Sequence, residues 1–102
     1  MRLLLALPVF ALLAGCGPIQ STGALIDADV EIEGARAAGA ATAAPYEFTS
    51  AEAYLHKARE ESGYAQFEAS IDFASKAREL AKDARKKAAA ASNKASDQDG
   101  AP

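Results

Sequence analysis

The stretch TSAEAYLHKAREESG, residues 49–63, carries the clearest secondary-structure pattern in the chain. Small and apolar side chains recur in it at i, i+3, i+4, i+7 and i+11, and nearly all residues between them are charged. Thr49 and Glu52 match a capping box, which predicts that a helix begins at Thr49. Gly63 predicts where that helix stops. The predicted buried stripe consists of Ala51, Tyr54, Leu55, Ala58 and Ser62.

A further helix is predicted on each side of this segment. Residues 24–44 are rich in alanine, and a stripe at i, i+3, i+7, i+10 and i+14 from Leu25 indicates a helix that Pro45 closes. From about Tyr64 to Ala91, a wide apolar arc made largely of alanine lies opposite a charged face. An arc of this width predicts contact with two neighbouring helices. The sequence thus predicts an all-α fold, a small three-helix antiparallel bundle whose helical domain covers residues 24–91.

The segments that flank these helices have their own patterns. Residues 16–23 comprise Cys16 and a small, polar stretch broken by Pro18, which predicts a tether. Residues 92–102 contain no large apolar side chain and are predicted to be disordered. Ile26 and Val30 lie off the stripe of the first helix, which predicts that its first turn is buried on a second side. The connection before Thr49 contains two aromatic residues, Tyr46 and Phe48, which are predicted to fold back and cap the core.

The composition argues against an enzyme with a buried substrate pocket. Half of the 102 residues are hydrophobic, but 27 of them are alanines. Residues 17–102 contain only 14 apolar side chains larger than a methyl group. A chain of this length forms one small domain at most. We therefore expect a non-enzymatic protein without a cofactor, a metal site or a small-molecule substrate.

The N-terminus has the pattern of a bacterial lipoprotein. In residues 1–15, Arg2 precedes an apolar run that ends in small residues, as in a secretory signal peptide. The run is too short to span a bilayer as a helix. The sequence Leu-Ala-Gly-Cys at residues 13–16 resembles a lipobox, which implies cleavage between Gly15 and Cys16 and lipidation of Cys16, including by palmitate. The alternative is an ordinary signal peptide followed by a stray cysteine.

The predicted location follows from the same motif and from the charge. In lipoproteins of the Gram-negative type, an aspartate after the lipidated cysteine favours the inner membrane, whereas Gly17 stands here. This resemblance implies an outer-membrane lipoprotein that faces the periplasm. The formal net charge is −3, and loss of Arg2 with the predicted signal peptide makes it −4, which does not favour nucleic acid or anionic lipid as a partner. Attachment to the membrane is therefore expected through the N-terminal lipid.

Two groups of side chains could bind or react. His56, the only histidine, projects from the charged face of its predicted helix and has no partner for catalysis or metal binding. Basic residues collect near the end of the third helix, where cations interact favourably with the helix dipole. Their alternative role is contact with peptidoglycan or lipopolysaccharide. These candidate polymer contacts are Arg78, Lys82, Arg85, Lys86 and Lys87.

Two family resemblances bear on the fold. The second and third predicted helices look like one tetratricopeptide-type pair. The residues that match this repeat are Tyr54 and Ala58 on the second predicted helix, and Phe67, Ser70, Ala74, Ala77 and Leu80 on the third. Lys82 stands where the repeat has its terminal proline. The second resemblance rests on an alanine-rich helix, the stretch APYEFTSAEAYL at residues 44–55, KAREE at residues 57–61 and ARELA at residues 77–81. Together they resemble an alanine-rich family of bacterial envelope lipoproteins classed as a domain of unknown function.

These observations lead to one main expectation and one alternative. The main expectation is a lipid-anchored envelope protein that presents helix surface to a protein partner or to a second copy of itself. The shortage of large apolar side chains favours such a partner, because alanine buries little area per residue. The alternative is binding of cell-wall polymer through the basic end of the third helix.

Overall fold

A computed structural model describes residues 16–100, which form four helices. Helix α1 covers Cys16–Ala37, α2 is the single turn Ala40–Ala43, α3 covers Pro45–Gly63 and α4 covers Phe67–Asp99. The predicted all-α fold is confirmed, with a short additional helix between the first two predicted ones. The predicted signal peptide, residues 1–15, lies outside the described residues.

Helix α4 packs against both α1 and α3 along most of their length, and α1 and α3 contact each other less extensively. Side-chain contacts fix the directions of the helices. Ser21 near the start of α1 contacts Ser70 near the start of α4, so these two helices run parallel. Ser21 also contacts Ser62 at the end of α3, and Lys87 of α4 pairs with Glu47 at the start of α3. Helix α3 is therefore antiparallel to the other two.

The core consists mainly of alanine. In the part of the chain that the structure describes, fourteen hydrophobic residues are buried; eleven of these are alanines, and Ile32, Phe48 and Leu55 are larger. Because a methyl group is short, helices can approach closely along a line of alanines and gain dispersion contacts between their backbones. The longest such line lies on α4, where every buried apolar side chain is a methyl group. It consists of Ala74, Ala77, Ala81, Ala84 and Ala88.

The larger apolar residues of α4 lie at the edges of this line. Phe67, Ile71, Phe73 and Leu80 are all half-buried rather than enclosed. The ring of Phe73 stacks on Tyr54 of α3, with 6.1 Å between the ring centroids. The predicted apolar arc of this helix is thus correct, with methyl groups at its centre and large side chains at its rim.

Helix α1 differs from the sequence expectation at its beginning. Residues 16–23, predicted to form a tether, belong to the helix. Tertiary packing explains the difference, because Ser21 is fully buried against α3 and α4 and Gly17 lies beside the Phe67 ring. The expected second buried side is wrong, since Ile26 is 58% exposed and Val30 is 63% exposed.

Helix α3 begins earlier than the capping box predicts. Its first residue is Pro45, with Ala44 at the N-cap, and Thr49 lies inside the helix. Proline suits this first position because its fixed φ is helical and its missing N–H has no helical partner there. The early start buries Phe48 in the core but leaves Tyr46 75% exposed. Only one of the two aromatic residues therefore caps the core as expected.

Two residues in the turns between the described helices have positive φ. Gly39 between α1 and α2 has φ 84°, which glycine adopts at no steric cost. At the end of α3, Ala65 has φ 60°. The N–H of Ala65 donates to the Ser62 carbonyl and that of Gln66 donates to the Glu61 carbonyl, the pattern of a Schellman motif. The C′ position of this motif is therefore Ala65, not the nearby Gly63.

Helix α4 continues beyond the rest of the molecule. Residues 92–99, predicted to be disordered, extend this helix and are exposed on all sides. Alanines at residues 88–91 favour the continuation, because alanine has the highest intrinsic helix propensity.

Candidate functional site

The end of the molecule that carries Cys16 is the first candidate site. Helices α1 and α4 both begin at this end and α3 stops there. Cys16 is the first described residue of α1, and Ile19, one helical turn further on, is 75% exposed. Gly15, the other half of the predicted cleavage site, lies outside the described residues. No helix in residues 16–100 is long and apolar enough to span a membrane.

Buried serines join the three long helices just behind this end. The Ser21 hydroxyl donates to the Ser70 hydroxyl at 2.9 Å, and the Ser62 hydroxyl lies 3.3 Å from the same Ser21 oxygen. Ser70 donates in turn to the Ala58 carbonyl at 2.8 Å. Among the described residues, every buried side-chain polar atom has a hydrogen-bond partner. With its hydrogen bonds satisfied and no histidine beside it, this cluster fixes helix positions and offers no activated nucleophile.

A charged groove runs between α1 and α3. Arg36 donates to Glu33 and, at 2.7 Å, to Glu52, and these hydrogen bonds raise the pKa of Arg36. Arg59 donates to Asp29 at 3.0 Å. His56 is exposed in the same groove. No cluster of potential metal ligands occurs within residues 16–100.

The predicted basic site on α4 is divided by the fold. Lys87 pairs with Glu47 of α3, which lowers the pKa of that carboxyl group through the hydrogen bond from the ammonium. Arg85 lies on the other side, 4.0 Å from Glu31 of α1. Two of the five cations are thus directed to different neighbouring helices.

The other three cations of this set form a row on the outside of α4. Arg78, Lys82 and Lys86 are spaced at i, i+4 and i+8, so they share one side of the helix. The ammonium of Lys82 lies 4.0 Å from Glu79 within the same helix. Arg78 and Lys86 are exposed and, within the described part of the chain, have no carboxylate at ion-pair distance.

A shallow groove of about 360 Å³ lies between α3 and α4. Its apolar floor is formed by Tyr54 and Leu80, and the Lys76 ammonium lies 5.5 Å from the centre of the Tyr54 ring. Glu79 and Asp83 line one edge. The groove has no buried polar group that could orient a small molecule.

An exposed apolar stripe follows the outer face of α1. It consists of Ile19, Ile26 and Val30, which are spaced at i, i+7 and i+11 and are 58–75% exposed. Asp27 and Asp29 lie on either side of its second half. This α1 stripe is apolar in the middle and acidic at its margins.

No protein-family model, curated protein or solved structure matches this chain.

Sequence reasoning missed the buried serine cluster and the α1 stripe. Ser70 occupies a small-residue position of the helix pattern, but no spacing rule links it to Ser21. The signal for the stripe was present, because Ile26 and Val30 lie off the buried face of the first helix; the wrong step was to assign them a second buried side.

Proposed function

We propose that this protein is a non-enzymatic envelope lipoprotein, attached to the outer membrane through lipidated Cys16 and facing the periplasm. Its helical domain is a structural or protein-interaction module that binds an envelope protein or a second copy of itself. The three long helices serve as a small antiparallel bundle in which α3 and α4 act as one tetratricopeptide-like pair. This reading agrees with the resemblance to alanine-rich envelope lipoproteins of unknown function.

The distribution of large apolar side chains carries the proposal. Among residues 17–100, Ile32, Phe48 and Leu55 are buried, whereas five large hydrophobic residues are exposed. A domain that exposes more of its large apolar residues than it buries has surface available for a partner. The exposed residues are Ile19, Ile26, Val30, Tyr46 and Tyr64.

The lipid anchor is tested by labelling cells with radioactive palmitate. We expect the label in the wild-type protein and not in Cys16→Ser, because thioether formation needs the thiol. Ser62→Ala serves as a control that leaves the cysteine in place. Equal labelling of wild type and Cys16→Ser would refute the lipoprotein assignment.

The protein partner is tested by photo-crosslinking in cells. A photoreactive amino acid at Val30 should capture one defined product, and the same amino acid at Asp72, exposed on α4, should not. Co-expression of two differently tagged copies shows whether the product is a homodimer. Capture of the same mixture from both positions would argue against a specific partner on α1.

The row of cations on α4 supports a second candidate function. Arg78, Lys82 and Lys86 together could bind peptidoglycan carboxylates or lipopolysaccharide phosphates, because exposed cations in a row attract an anionic polymer. The triple change of these residues to glutamine should abolish sedimentation with purified sacculi or with lipopolysaccharide. The double change Arg85→Gln and Lys87→Gln is the matched control, because those two side chains pair with Glu31 and Glu47. Sedimentation that is absent in the wild type would eliminate this candidate.

A further inference from the structure

The end of the molecule at Cys16 differs from the remainder in its charge. No residue between Cys16 and Ile26 is charged, and neither is any residue between Ser62 and Phe67. These two segments lie at the same end, because Gly17 faces Phe67 and Ser21 contacts Ser62. In the chain as a whole, a quarter of the residues are charged. We name residues 16–19 and 63–67 the end cap.

The end cap also exposes two large apolar side chains. Ile19 is 75% exposed and Tyr64 is 73% exposed. Transfer of an isoleucine side chain from water to the acyl region of a bilayer is favourable. Tyrosine prefers the interface between acyl chains and water. The nearest charged residues are Glu61, which pairs with Lys57, and Glu68 in the first turn of α4.

The position of the end cap in the chain indicates what covers it. In the sequence, the apolar run of residues 3–13 ends three positions before Cys16, and residues 16–23 are helical. An acyl group on Cys16, as proposed above, would hold the end cap at the bilayer surface.

We propose that the end cap is a membrane-contact surface, in which Ile19 and Tyr64 insert into the interfacial layer of the bilayer. This inference rests on the proposed membrane attachment at Cys16. Since α1, α3 and α4 all start or stop at the end cap, the helices then point away from the bilayer. The α1 stripe beyond Ile19 and the basic row on α4 are thereby presented to the periplasm.

The alternative orientation has α1 flat on the membrane. It would insert Ile26 and Val30 together with Ile19. Charge argues against it, because Asp27 on one side of the stripe and the Asp29–Arg59 ion pair on the other would be brought into the interface. Insertion of the end cap into the bilayer leaves both Asp27 and Asp29 outside the interface.

Tryptophan fluorescence of the full-length protein in vesicles distinguishes these orientations. The chain contains no tryptophan, so an indole introduced at one position reports on that position alone. The protein is purified from the bacterial envelope and reconstituted into phosphatidylcholine vesicles with or without brominated acyl chains. The variants are Ile19→Trp, Tyr64→Trp, Val30→Trp and Tyr46→Trp. The last is the matched control, because Tyr46 is 75% exposed but lies about 27 Å from position 64 along α3.

The end cap predicts a specific set of results. At positions 19 and 64, the emission should shift to shorter wavelength and lose intensity with brominated lipid. At positions 30 and 46, it should instead be quenched by aqueous iodide. Quenching by brominated lipid at 19 and 30 but not at 64 would establish the flat orientation and overturn the proposal. Aqueous quenching at both 19 and 64 would also overturn it.

Mass spectrometry of the same preparations separates this inference from the proposed lipid anchor. An acylated protein whose indole at position 64 is as accessible to iodide as that at position 46 refutes the end cap alone. An unacylated protein refutes the lipoprotein assignment, and lipid quenching at position 64 would then still support the end cap. Far-UV circular dichroism of each variant verifies that it is folded.

Discussion

The Ser21 hydroxyl on α1 donates a 2.9 Å hydrogen bond to the Ser70 hydroxyl on α4, and both side chains are fully buried. The Ser70 hydroxyl in turn donates a hydrogen bond to the Ala58 carbonyl on α3. One short chain of hydrogen bonds therefore connects all three long helices. The core is made mainly of alanine, and methyl groups differ too little in shape to favour one helix register over another. These hydrogen bonds therefore fix how the helices are aligned along their axes.

Removal of either serine hydroxyl should destabilise the protein. Ser70→Ala leaves the buried Ser21 hydroxyl with Ser62 as its remaining partner, and we expect a loss of about 1–2 kcal/mol in the free energy of unfolding. Ser21→Ala should cost a similar amount. Urea unfolding followed by circular dichroism measures both, and Ser75→Ala on the exposed side of α4 is the matched control. Losses no larger than that of the control would show that the cluster does not stabilise the fold.

The double variant Ser21→Ala and Ser70→Ala should lose less stability than the sum of the two single variants. Because both partners of the Ser21–Ser70 hydrogen bond are then absent, neither serine leaves an unsatisfied group behind. A double-mutant cycle should give a coupling energy of about 0.5–1.5 kcal/mol. Strict additivity would contradict direct coupling between the two hydroxyls.

Enlargement of an alanine in the line on α4 should separate the helices. Ala77 is completely buried, so Ala77→Leu is expected to destabilise the fold by about 1–3 kcal/mol through overpacking. Ala89→Leu, on the exposed side of the same helix, should change stability very little, because leucine and alanine have similar helix propensities. The comparison is made by thermal and urea unfolding. Equal stability of the two variants would mean that the helices do not approach closely at Ala77.

Ala65→Gly and Gly39→Ala, at the two positive-φ positions, should change the free energy of unfolding in opposite directions. Ala65→Gly should raise the free energy of unfolding by about 0.5–1 kcal/mol, because glycine adopts a left-handed conformation without the steric cost of a β-carbon. Gly39→Ala should lower it by about 1–2 kcal/mol. Gly23→Ala is the control for the second change, since Gly23 lies within α1 with no atom near the added carbon. That control should be stabilising, and a stabilising Gly39→Ala would contradict the left-handed turn.

The Glu47–Lys87 pair predicts a pH dependence of stability. The hydrogen bond from Lys87 lowers the pKa of Glu47 in the folded protein below its ordinary value. A lowered carboxyl pKa stabilises the fold at pH above the ordinary value, and this contribution is lost as the pH falls through the lowered pKa. Wild type should therefore be more stable than Lys87→Gln at neutral pH, and the difference should disappear in acid.

Titration of the Glu47 carboxyl carbon by NMR measures the same effect directly. In Lys87→Gln the pKa of Glu47 should return toward its ordinary value. Lys94→Gln, an exposed change further along α4, should leave the pKa of Glu47 unchanged. An unchanged Glu47 pKa in Lys87→Gln would show that the two groups are not paired in solution.

Some of the fold could be predicted from local patterns. The stripe of Ala51, Leu55 and Ala58 on α3 is buried as its spacing predicts, because a helical period of 3.6 residues brings these positions to one face. The line of buried alanines on α4 could be predicted for the same reason. Helix ends were less predictable. The capping box at Thr49 competes with Pro45 four residues earlier, and burial of Phe48 favours the earlier start.

The candidate sites, like the fold, could be predicted only in part from the sequence. The lipobox-like sequence at residues 13–16 and the cations of α4 are visible in the sequence as motifs. Their surroundings are not visible, because the pairing of Lys87 with Glu47 and of Arg85 with Glu31 depends on which helices flank α4. The five cations predicted as one basic cluster therefore do not act together. Two of them pair with residues of α1 and α3, and Arg78, Lys82 and Lys86 form the outer row.

The sequence by itself determined that this protein is all-α and that its core is built from methyl groups, because helical period and composition are local properties of the chain. Tertiary structure alone decided that residues 16–23 are helical, that Ser21 meets Ser70 and that Ile26 and Val30 are exposed. The physical reason is that each of these features depends on contacts between helices distant in sequence. Burial of a polar side chain needs a partner at hydrogen-bond distance, and only packing of α1 and α3 against α4 supplies one.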